Sequence, residues 1–347
     1  MLDPAEVARS LREYAYWLER DRADTHRVKA YRRAAEVAEG LSSTQAASMT
    51  SVAHWRALPS FGPSTAAFAA AVAAGEIPAK LAEARTAGAR PLDPAGTKLN
   101  HALRGDLHTH TSASDGGSPL WEMAEAADGL GHAYMAITDH SPRLKVANGL
   151  SRHRLLQQWR DIERIQSQHT CRLLRGIEVD ILLDGSLDQD QDMLAGTDVV
   201  VASIHSDLAA DAPTMTTRMI RAVANPHTLV LGHCTGRRLK GDGSWRPSST
   251  FDAEMVFGAC EMFGVAVEIN CRPERVDPPT PLLELARDMG CLFAIDTDAH
   301  APGQLEFWSL GAARASDAGI PPERIINTWP VEALLEHSRR RRPDRVG

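Results

Sequence analysis

The sequence predicts an α/β protein in which a closed barrel of parallel strands follows a small all-α domain. From about residue 101 onward, apolar runs of strand length alternate with helical segments. Candidate metal ligands stand at the C-terminal ends of six of these runs, the end at which closed parallel barrels build their active sites. Residues 1 to about 90 instead show helical periodicity throughout.

The N-terminal region is predicted to contain three main helices. The first begins after Asp3, an N-cap residue followed by proline at the first helical position. A second helix is expected over residues 27–39, ending at Gly40. Residues 58–66 indicate a tight turn that opens an alanine-rich helix running to Gly75. We therefore expect a helical domain over residues 1–90.

Composition and the alternation of strands and helices divide the rest of the chain into three segments. Residues 91–103 are expected to form a linker, residues 104–336 the barrel, and residues 337–347 a basic tail. Predicted strands are 134–138, 172–178, 199–204, 228–231, 265–270 and 292–296. Predicted helices between them include 118–129, 152–168 and 281–289.

Bulk composition limits the class of protein. A hydrophobic content of 43% and a charged content of 24% describe an ordinary soluble chain. No apolar run approaches 18 residues, so no membrane span is expected. The N-terminus lacks a basic and apolar signal segment, and the five cysteines include no C-x-x-C pair. These features favour a cytoplasmic protein with reduced thiols.

Charge is unevenly distributed along the chain. Residues 1–100 carry a net charge of +2, whereas the remaining residues carry −9. An acidic excess suits a cation-binding site and argues against a broad electrostatic surface for DNA. Any contact with nucleic acid should therefore be local.

A metal site is indicated by His108 and His110, which lie two residues apart beyond a short apolar strand. In an extended strand such residues point to the same side, so both imidazoles can converge on one ion. Five later apolar runs also end in potential ligands. The nine candidates are His108, His110, Asp115, His140, Glu178, His205, His233, Asp298 and His300.

Nine ligands exceed the needs of one tetrahedral ion, so two or three divalent ions with shared carboxylates are expected. Such ligands accept zinc, manganese or iron. Clustered ions serve phosphoester hydrolysis by a metal-bound hydroxide. The sequence lacks a serine nucleophile elbow, a P-loop and a G-x-G-x-x-G motif, which would indicate other mechanisms. Asp139 and Asp296 are expected to hydrogen-bond around the ligands rather than to ligate.

The motifs of residues 104–330 resemble those of the PHP (polymerase and histidinol phosphatase) domain. They stand here as Gly105-Asp-Leu-His-Thr-His-Thr, Ile137-Thr-Asp-His, Gly176-Ile-Glu-Val-Asp, Ala202-Ser-Ile-His-Ser, Leu231-Gly-His and Asp296-Thr-Asp-Ala-His. The resemblance implies a distorted seven-stranded (β/α)7, TIM-like barrel with a trinuclear centre. It also implies a first metal on His108, His110, Glu178 and Asp298, a second on Glu178, His205 and His233, and a third on Asp115, His140 and His300. We expect Glu178, Asp298 and His233 to be catalytic.

Within that family, the chain is most similar to bacterial family X DNA polymerases. The segments that carry this likeness include Val146-Ala-Asn-Gly-Leu-Ser, Gly232-His-Cys-Thr-Gly-Arg and Asn327-Thr-Trp, although Cys234 stands where proline is common. Residues 28–35 and 58–66 resemble the small N-terminal domain of those enzymes, including a helix-hairpin-helix in which Ser60 replaces the first glycine. The linker leaves no room for a polymerase palm domain, so template-directed synthesis is not expected.

This resemblance implies DNA ends or single strands as partners. Helix-hairpin-helix turns present backbone N–H groups to DNA phosphates. The candidate DNA- or phosphate-binding residues are Arg27, Lys29, Arg32, Gly62, Ser64 and Arg237. We expect a metal-dependent 3'-5' exonuclease or end-processing phosphoesterase of DNA repair. The alternatives are a small-molecule phosphatase of the histidinol-phosphatase type, with the N-terminal helices as a lid or dimer contact, and a non-catalytic DNA-end-binding module.

Overall fold

The computed structural model describes residues 3–341 and contains two compact units. Unit 1 comprises residues 3–91 together with 302–304, and unit 2 comprises residues 92–301 together with 305–341. No helix within residues 3–341 is long and apolar enough to cross a membrane.

Unit 1 is entirely helical. Its helices are α1 (Pro4–Arg20), α2 (Thr25–Glu39), α3 (Ser43–Ser48), α4 (Val52–Arg56), α5 (Pro63–Ala73) and α6 (Ala79–Gly88). The Asp3 side chain accepts a hydrogen bond from the N–H of Ala5 and caps α1 as expected. The rings of Tyr14 and Tyr31 lie 4.7 Å apart, edge to face, and both contact Phe68. These aromatic contacts join α1, α2 and α5 into one small core.

A tight turn joins α4 to α5. Ser60 in this turn has φ = +64°, a left-handed conformation that glycine adopts more readily than other residues. Gly62 precedes α5, and its N–H donates to Oγ1 of Thr65 at 2.9 Å. A turn therefore precedes the alanine-rich helix α5, as the sequence of residues 58–66 predicts.

Unit 2 is built on seven parallel strands, each paired with the next in the order in which they follow here. These strands are β1 (Gly105–Thr109), β2 (Tyr134–Ile137), β3 (Arg172–Asp180), β4 (Val199–Ser203), β5 (Val230–Leu231), β8 (Ala266–Asn270) and β9 (Leu292–Asp296). The two outer strands meet through a parallel bridge between Thr109 and Ala299, where His110 N–H donates to Ala299 O at 2.8 Å. The sheet is therefore a nearly closed barrel, and the predicted fold class is confirmed.

The helices of unit 2 mostly alternate with the strands. They are α7 (Thr97–Asn100), α8 (Leu120–Gly129), α9 (Arg152–Ile165), α10 (Gln191–Gly196), α11 (Ala212–Ala224), α12 (Ala253–Phe263), α13 (Thr280–Asp288), α14 (Trp308–Asp317) and α15 (Val331–Arg340). A separate antiparallel hairpin is formed by β6 (Arg238–Leu239) and β7 (Trp245–Arg246). The sequence did not predict this hairpin, because each strand has only two residues.

Strand periodicity explains how the barrel carries polar side chains at one end. Every residue of β4 and β8 is buried, as in parallel strands covered on both faces. Residues separated by two or four positions share a face, so the face of β3 with the apolar Leu174 also carries Glu178. Apolar residues therefore fill one end of the barrel and titratable residues occupy the other.

Two predicted boundaries require correction. Residues 91–103, expected to be a linker, contain a 3-10 turn (Pro94–Gly96) and α7, and Leu99 is buried in the core of unit 2. A side chain at Gly96 would lie within 2.5 Å of the backbone N of Ala313, so this segment packs closely against α14. Close packing makes these residues part of unit 2.

The expected tail, 337–347, is also structured at its start. Residues up to Arg340 belong to α15. Ser338 Oγ donates to the carbonyl of Asp198, and His337 Nε2 lies 2.8 Å from the carbonyl of Gly264. These side-chain contacts anchor the end of α15, while residues 342–347 of the predicted tail lie outside the described residues.

Candidate metal centre

All nine predicted ligands lie at the C-terminal end of the barrel, within or just after its strands. His108 lies within β1, and the other five histidines follow the ends of their strands within four residues. They converge because parallel strands bring their carboxyl ends to the same side. The strands and their associated candidates are β1 with His108, His110 and Asp115, β2 with His140, β3 with Glu178, β4 with His205, β5 with His233, and β9 with Asp298 and His300. The structure therefore brings together the complete set.

Glu178 lies at the centre of this arrangement. Its Oε1 is 2.9 Å from His233 Nε2 and 3.2 Å from His205 Nε2. Its Oε2 is 2.8 Å from His140 Nδ1 and 3.3 Å from His108 Nε2. Oε2 also lies 3.5 Å from His110 Nε2. Each carboxylate oxygen thus faces a different group of imidazoles, which is the geometry that a bridging ligand requires.

Two further carboxylates extend the cluster on either side of His110. Oδ1 of Asp298 lies 3.4 Å from His110 Nε2, and Oδ1 of Asp115 lies 4.0 Å from His110 Nδ1. The same Asp115 oxygen lies 3.5 Å from Nε2 of both His140 and His300. His110 therefore connects an inner group of donors with an outer one.

Four overlapping sets of donors have atoms within 4.8 Å of one another. They are His110–Asp115–His140–His300, His108–His110–Asp298, His108–Glu178–His233 and His140–Glu178–His205. Glu178, His108, His110 and His140 each belong to two sets, so neighbouring ions would share ligands. This arrangement fits a cluster of ions better than isolated sites.

Electrostatics within the cluster favours ionised carboxylates. Burial alone would raise the pKa of Glu178, but His108, His205 and His140 hold the pKa well below its usual range. Burial similarly opposes ionisation of Asp298, whose pKa is lowered by Arg275 and His108. These carboxylates are thus available as anionic ligands across the ordinary pH range.

Glu268 on β8 belongs to the site although no sequence motif indicated it. Its Oε1 lies 2.6 Å from His108 Nδ1, the ring nitrogen opposite the one that faces Glu178. Its Oε2 accepts from the N–H of His233 and, at 3.1 Å, from Nδ2 of Asn270. A carboxylate that fixes an imidazole in this way orients a metal-ligating histidine. The available signal was a glutamate and an asparagine two residues apart at the end of an apolar strand.

Two arginines that the sequence analysis missed contact the same centre. Arg275 Nε donates to Asp298 Oδ2 at 2.9 Å. Its Nη1 is buried and makes no hydrogen bond with the described residues. Arg272 Nη1 lies 2.8 Å from His300 Nδ1 and donates to the Asp298 carbonyl. Positive charge therefore borders the carboxylates, and Arg275 retains an unused donor.

The two predicted supporting aspartates make hydrogen bonds around the centre. Asp139 accepts from the backbone N–H and the hydroxyl of Thr111, at 2.8 and 2.6 Å. Asp296 Oδ1 accepts from the N–H of Leu107 at 3.0 Å and from Asn327 Nδ2 at 2.9 Å. Both aspartates stabilise the strand ends that carry ligands.

Cys234 follows His233 but belongs to none of the donor sets among residues 3–341. Its sulfur lies 3.9 Å from Asp277 Oδ1. Burial and the nearby Asp277 raise the pKa of its thiol well above the usual value. A protonated buried thiol is a poor metal ligand and a weak nucleophile.

The candidate DNA-binding residues of unit 1 fall into two groups. Arg27, Lys29, Gly62 and Ser64 are exposed. Arg32 is buried, and its Nε donates to Glu19 Oε1 at 2.5 Å. The predicted role of Arg32 in binding DNA is therefore not supported, because its guanidinium is used within the helical core.

Ser64 at the start of α5 belongs to a polar cluster that also contains Lys80, a residue missed in the sequence. Ser64 Oγ lies 2.9 Å from the Tyr31 hydroxyl and accepts from Lys80 Nζ at 2.7 Å. Arg27 donates to the Tyr14 hydroxyl at 2.6 Å, and the two tyrosine rings adjoin. Two cations and three hydroxyls thus lie beside one helix N-terminus.

Arg237, the remaining candidate, lies in unit 2 just before β6. Its guanidinium carbon lies 4.1 Å from the centroid of the Trp245 ring. The arginine therefore covers an indole on the β6–β7 hairpin.

Part of the chain matches a known protein family. Residues 106–232 match the family model described as the PHP domain. The chain is 37% identical over 240 residues to the DNA polymerase/3'-5' exonuclease PolX of Bacillus subtilis. That match covers 68% of this chain and 41% of PolX, so the chain spans less than half of that relative.

Shorter relatives match over nearly their whole length. A probable phosphatase of Thermoanaerobacter pseudethanolicus is 27% identical over 249 residues, covering 68% of this chain and 96% of the relative. Among solved structures, histidinol phosphate phosphatase of Lactococcus lactis matches with a TM-score of 0.43 and 15% identity, covering 63% of this chain and 95% of that structure. The barrel that carries the nine clustered side chains therefore contains a PHP domain, matched over residues 106–232.

Proposed function

We propose that this protein is a metal-dependent phosphoesterase that hydrolyses DNA at strand ends, as a 3'-5' exonuclease or an end-processing enzyme of DNA repair. The PHP domain and its exonuclease and phosphatase relatives support a hydrolase of phosphoester bonds. All five cysteines are free and buried, which suits a cytoplasmic protein.

The observation that carries the proposal is a set of buried potential metal-ligand atoms that make no hydrogen bond with any of residues 3–341. These atoms are His108 Nε2, His110 Nδ1 and Nε2, His140 Nδ1, His205 Nδ1 and Nε2, His233 Nδ1 and Glu178 Oε2. Several lie near carboxylate oxygens but are not aligned for hydrogen bonding. Unsatisfied buried polar atoms are costly, and divalent ions would satisfy most of these at once. The residues therefore fit two or three ions.

The donor sets indicate which residues would hold each ion. Glu178 with His108 and His233 forms one set, and Glu178 with His140 and His205 forms another. His110 belongs to the Asp298 set and to the outer set with Asp115, His140 and His300. Zinc, manganese and iron all accept such imidazole and carboxylate donors. Glu178, Asp298 and His233 are the proposed catalytic residues because they border the space shared by the inner sets.

Bound ions would acidify water and neutralise charge on a phosphoryl group. The protein itself adds Arg275, whose Nε contacts Asp298 and whose buried Nη1 has no acceptor in the described part of the chain. A buried guanidinium nitrogen needs an anionic or carbonyl oxygen as partner. A non-bridging oxygen of the scissile phosphate is the acceptor that we assign to it. Arg275 would thereby orient the phosphate and stabilise its developing negative charge.

DNA as substrate is supported by unit 1 and by the PolX relative. Arg27 and Lys80 flank the hydroxyls of Tyr14, Tyr31 and Ser64 at the start of α5. Cations, hydroxyls and a helix N-terminus together form a suitable site for a phosphate. Exposed Lys29 on α2 and the N–H groups near Gly62 would add further contacts to the DNA backbone. We do not assign this role to Arg32, because its guanidinium pairs with Glu19.

A second candidate function is hydrolysis of a small phosphomonoester, as in phosphatases of the histidinol type. The observation in its favour is that probable phosphatases align with this chain over 96% of their length. The dependence on salt concentration distinguishes the two functions. DNA binding weakens steeply as salt is added, whereas turnover of a small monoester changes little.

The direct test uses 5'-labelled single-stranded and recessed-end DNA with manganese, beside a phosphomonoester. We expect wild-type protein to produce a ladder of shortened DNA and the Asp298→Ala variant to produce none. Intact DNA together with phosphate release from the monoester would contradict the DNA proposal and favour the small-molecule phosphatase. Equal activity of Asp298→Ala would contradict the assigned site.

A further inference from the structure

The β6–β7 hairpin is hydrogen-bonded to segments that carry residues of the candidate metal centre. The N–H of Gly236 donates to the carbonyl of His233 at 2.8 Å, and Arg246 Nε donates to the carbonyl of Gly236 at 2.8 Å. The N–H of Leu239 donates to the carbonyl of Glu274 at 2.6 Å. Glu274 precedes Arg275, so the hairpin is attached to two segments that supply residues to the centre. The base of the hairpin is therefore held beside the residues of the candidate metal centre.

The two faces of the hairpin differ in chemistry. Leu239 pairs with Trp245 in the antiparallel register, and Arg238 pairs with Arg246. Paired residues share a face, so an apolar face lies opposite a basic one. Trp245 is 42% exposed and Leu239 is 37% exposed. A large indole left in solvent on so short a hairpin contributes little to the core.

Charge distinguishes the hairpin from its surroundings. Residues 236–246 contain four basic side chains and one acidic side chain, although residues 101–347 carry a net charge of −9. Burial and the guanidiniums of Arg272 and Arg275 lower the pKa of Arg238. Like charges held together are unfavourable unless an anion lies between or beside them. The hairpin therefore provides a local attraction for a polyanion beside an otherwise acidic unit.

An exposed indole next to guanidiniums suits single-stranded nucleic acid. Bases stack on aromatic rings while phosphates contact cations, with little dependence on base identity. Arg237 already lies over the Trp245 ring at 4.1 Å and can support it as a stacking platform. A small phosphomonoester would have no base to place on the ring and no further phosphates for the cations.

We propose that the β6–β7 hairpin is a binding site for a single-stranded polynucleotide whose end lies in the metal centre. Trp245 stacks on a base of that strand, and Arg238 and Lys240 contact its phosphates. This inference rests on the proposed DNA function and deepens it, because it makes the substrate a polynucleotide strand rather than a small phosphoester.

Cleavage provides the first test. Trp245→Ala should raise KM for a (dT)12 oligonucleotide by about tenfold, a loss within the range for one base–aromatic stack. Its rate on bis(p-nitrophenyl) phosphate, a diester without a nucleobase, should remain that of wild type. Trp245→Phe should recover most of the affinity. The matched control is Trp121→Ala, which removes another exposed tryptophan, on α8, and should leave both substrates unaffected.

Binding provides a test that does not require cleavage. In an Asp298→Ala background, fluorescence anisotropy with labelled (dT)12 should show about tenfold weaker binding for Trp245→Ala. Wild-type cleavage of DNA with no effect of Trp245→Ala on KM or binding would overturn the hairpin site and leave the proposed function standing. An equal loss from Trp121→Ala would also overturn it. Weaker binding by Trp245→Ala in a protein that never cuts DNA would instead contradict the proposed function alone.

Discussion

The Nδ1 atom of His108 lies 2.6 Å from the Oε1 atom of Glu268, deep within the barrel. The opposite ring nitrogen of His108 faces Glu178 at 3.3 Å. The imidazole is thus held between a supporting carboxylate on β8 and the central carboxylate on β3. Its orientation is set by a residue 160 positions away in the chain.

Replacing Glu268 with glutamine should weaken metal binding. The amide keeps the size of the side chain but removes the charge that fixes the His108 ring, so we expect affinity for manganese or zinc to fall about 10- to 100-fold. Metal titration with a competing chelator measures this loss. Glu254→Gln, an exposed change on α12, serves as the control and should bind metal as wild type does. Unchanged affinity in Glu268→Gln would show that Glu268 does not support the ligands.

Replacing Arg275 should impair turnover more than metal loading. Loss of a guanidinium that stabilises transition-state charge should lower kcat about 100-fold in Arg275→Ala. Arg275→Lys keeps the charge and should recover part of the rate. Metal content should be determined in parallel, because Arg275 also contacts Asp298. A fall in metal content that fully accounts for the lost activity would assign Arg275 a role only in positioning Asp298.

Substitution of Arg32 should affect stability, whereas substitution of Lys29 should affect DNA binding. The Arg32 and Glu19 side chains are 10% and 2% exposed, so Arg32→Ala removes the positive charge that balances a buried carboxylate. We expect the free energy of unfolding to fall by about 3 kcal/mol, measured by urea unfolding. Lys29→Ala should keep wild-type stability and weaken binding to DNA. It should also reduce by about one the slope of the logarithm of the DNA-binding constant against the logarithm of the salt concentration. A stable Arg32→Ala variant that has lost DNA binding would restore the role predicted from the sequence.

His132 should make the protein less stable at acidic pH. Its ring stacks on Trp308 at 3.8 Å, and burial lowers its pKa to about 3. The unfolded chain, with a histidine pKa of about 6.5, binds more protons than the folded chain between these values. Stability therefore falls as the pH drops below about 6.5, by about 1.4 kcal/mol per pH unit.

This effect can be measured by comparing wild type with His132→Gln. Between pH 7.5 and 5.5, wild type should lose about 1.4 kcal/mol more free energy of unfolding than the variant. Urea unfolding followed by tryptophan fluorescence at both pH values gives the difference. An identical pH dependence in the two proteins would contradict the assignment to His132.

Local sequence patterns predicted most of the fold. Apolar runs ending in polar residues located the barrel strands, whose lengths differ in places, as for 228–231, which shortens to Val230–Leu231. The N-cap at Asp3 and the stop at Gly40 were likewise readable because capping depends on neighbouring residues. The barrel class and the PHP domain are confirmed. The nine ligands are brought together, and their binding of metal stays a prediction.

The sequence by itself determined the elements, their order and the side chains at the strand ends, since these follow from local periodicity and from motifs. Tertiary structure decided which distant groups meet: Glu268 contacts His108, Arg275 contacts Asp298, and Arg32 contacts Glu19. It also paired Arg237 with Trp245 on a hairpin too short to leave a pattern. Such pairings depend on the closure of the barrel and the packing of helices, which bring residues far apart in the chain within a few ångströms.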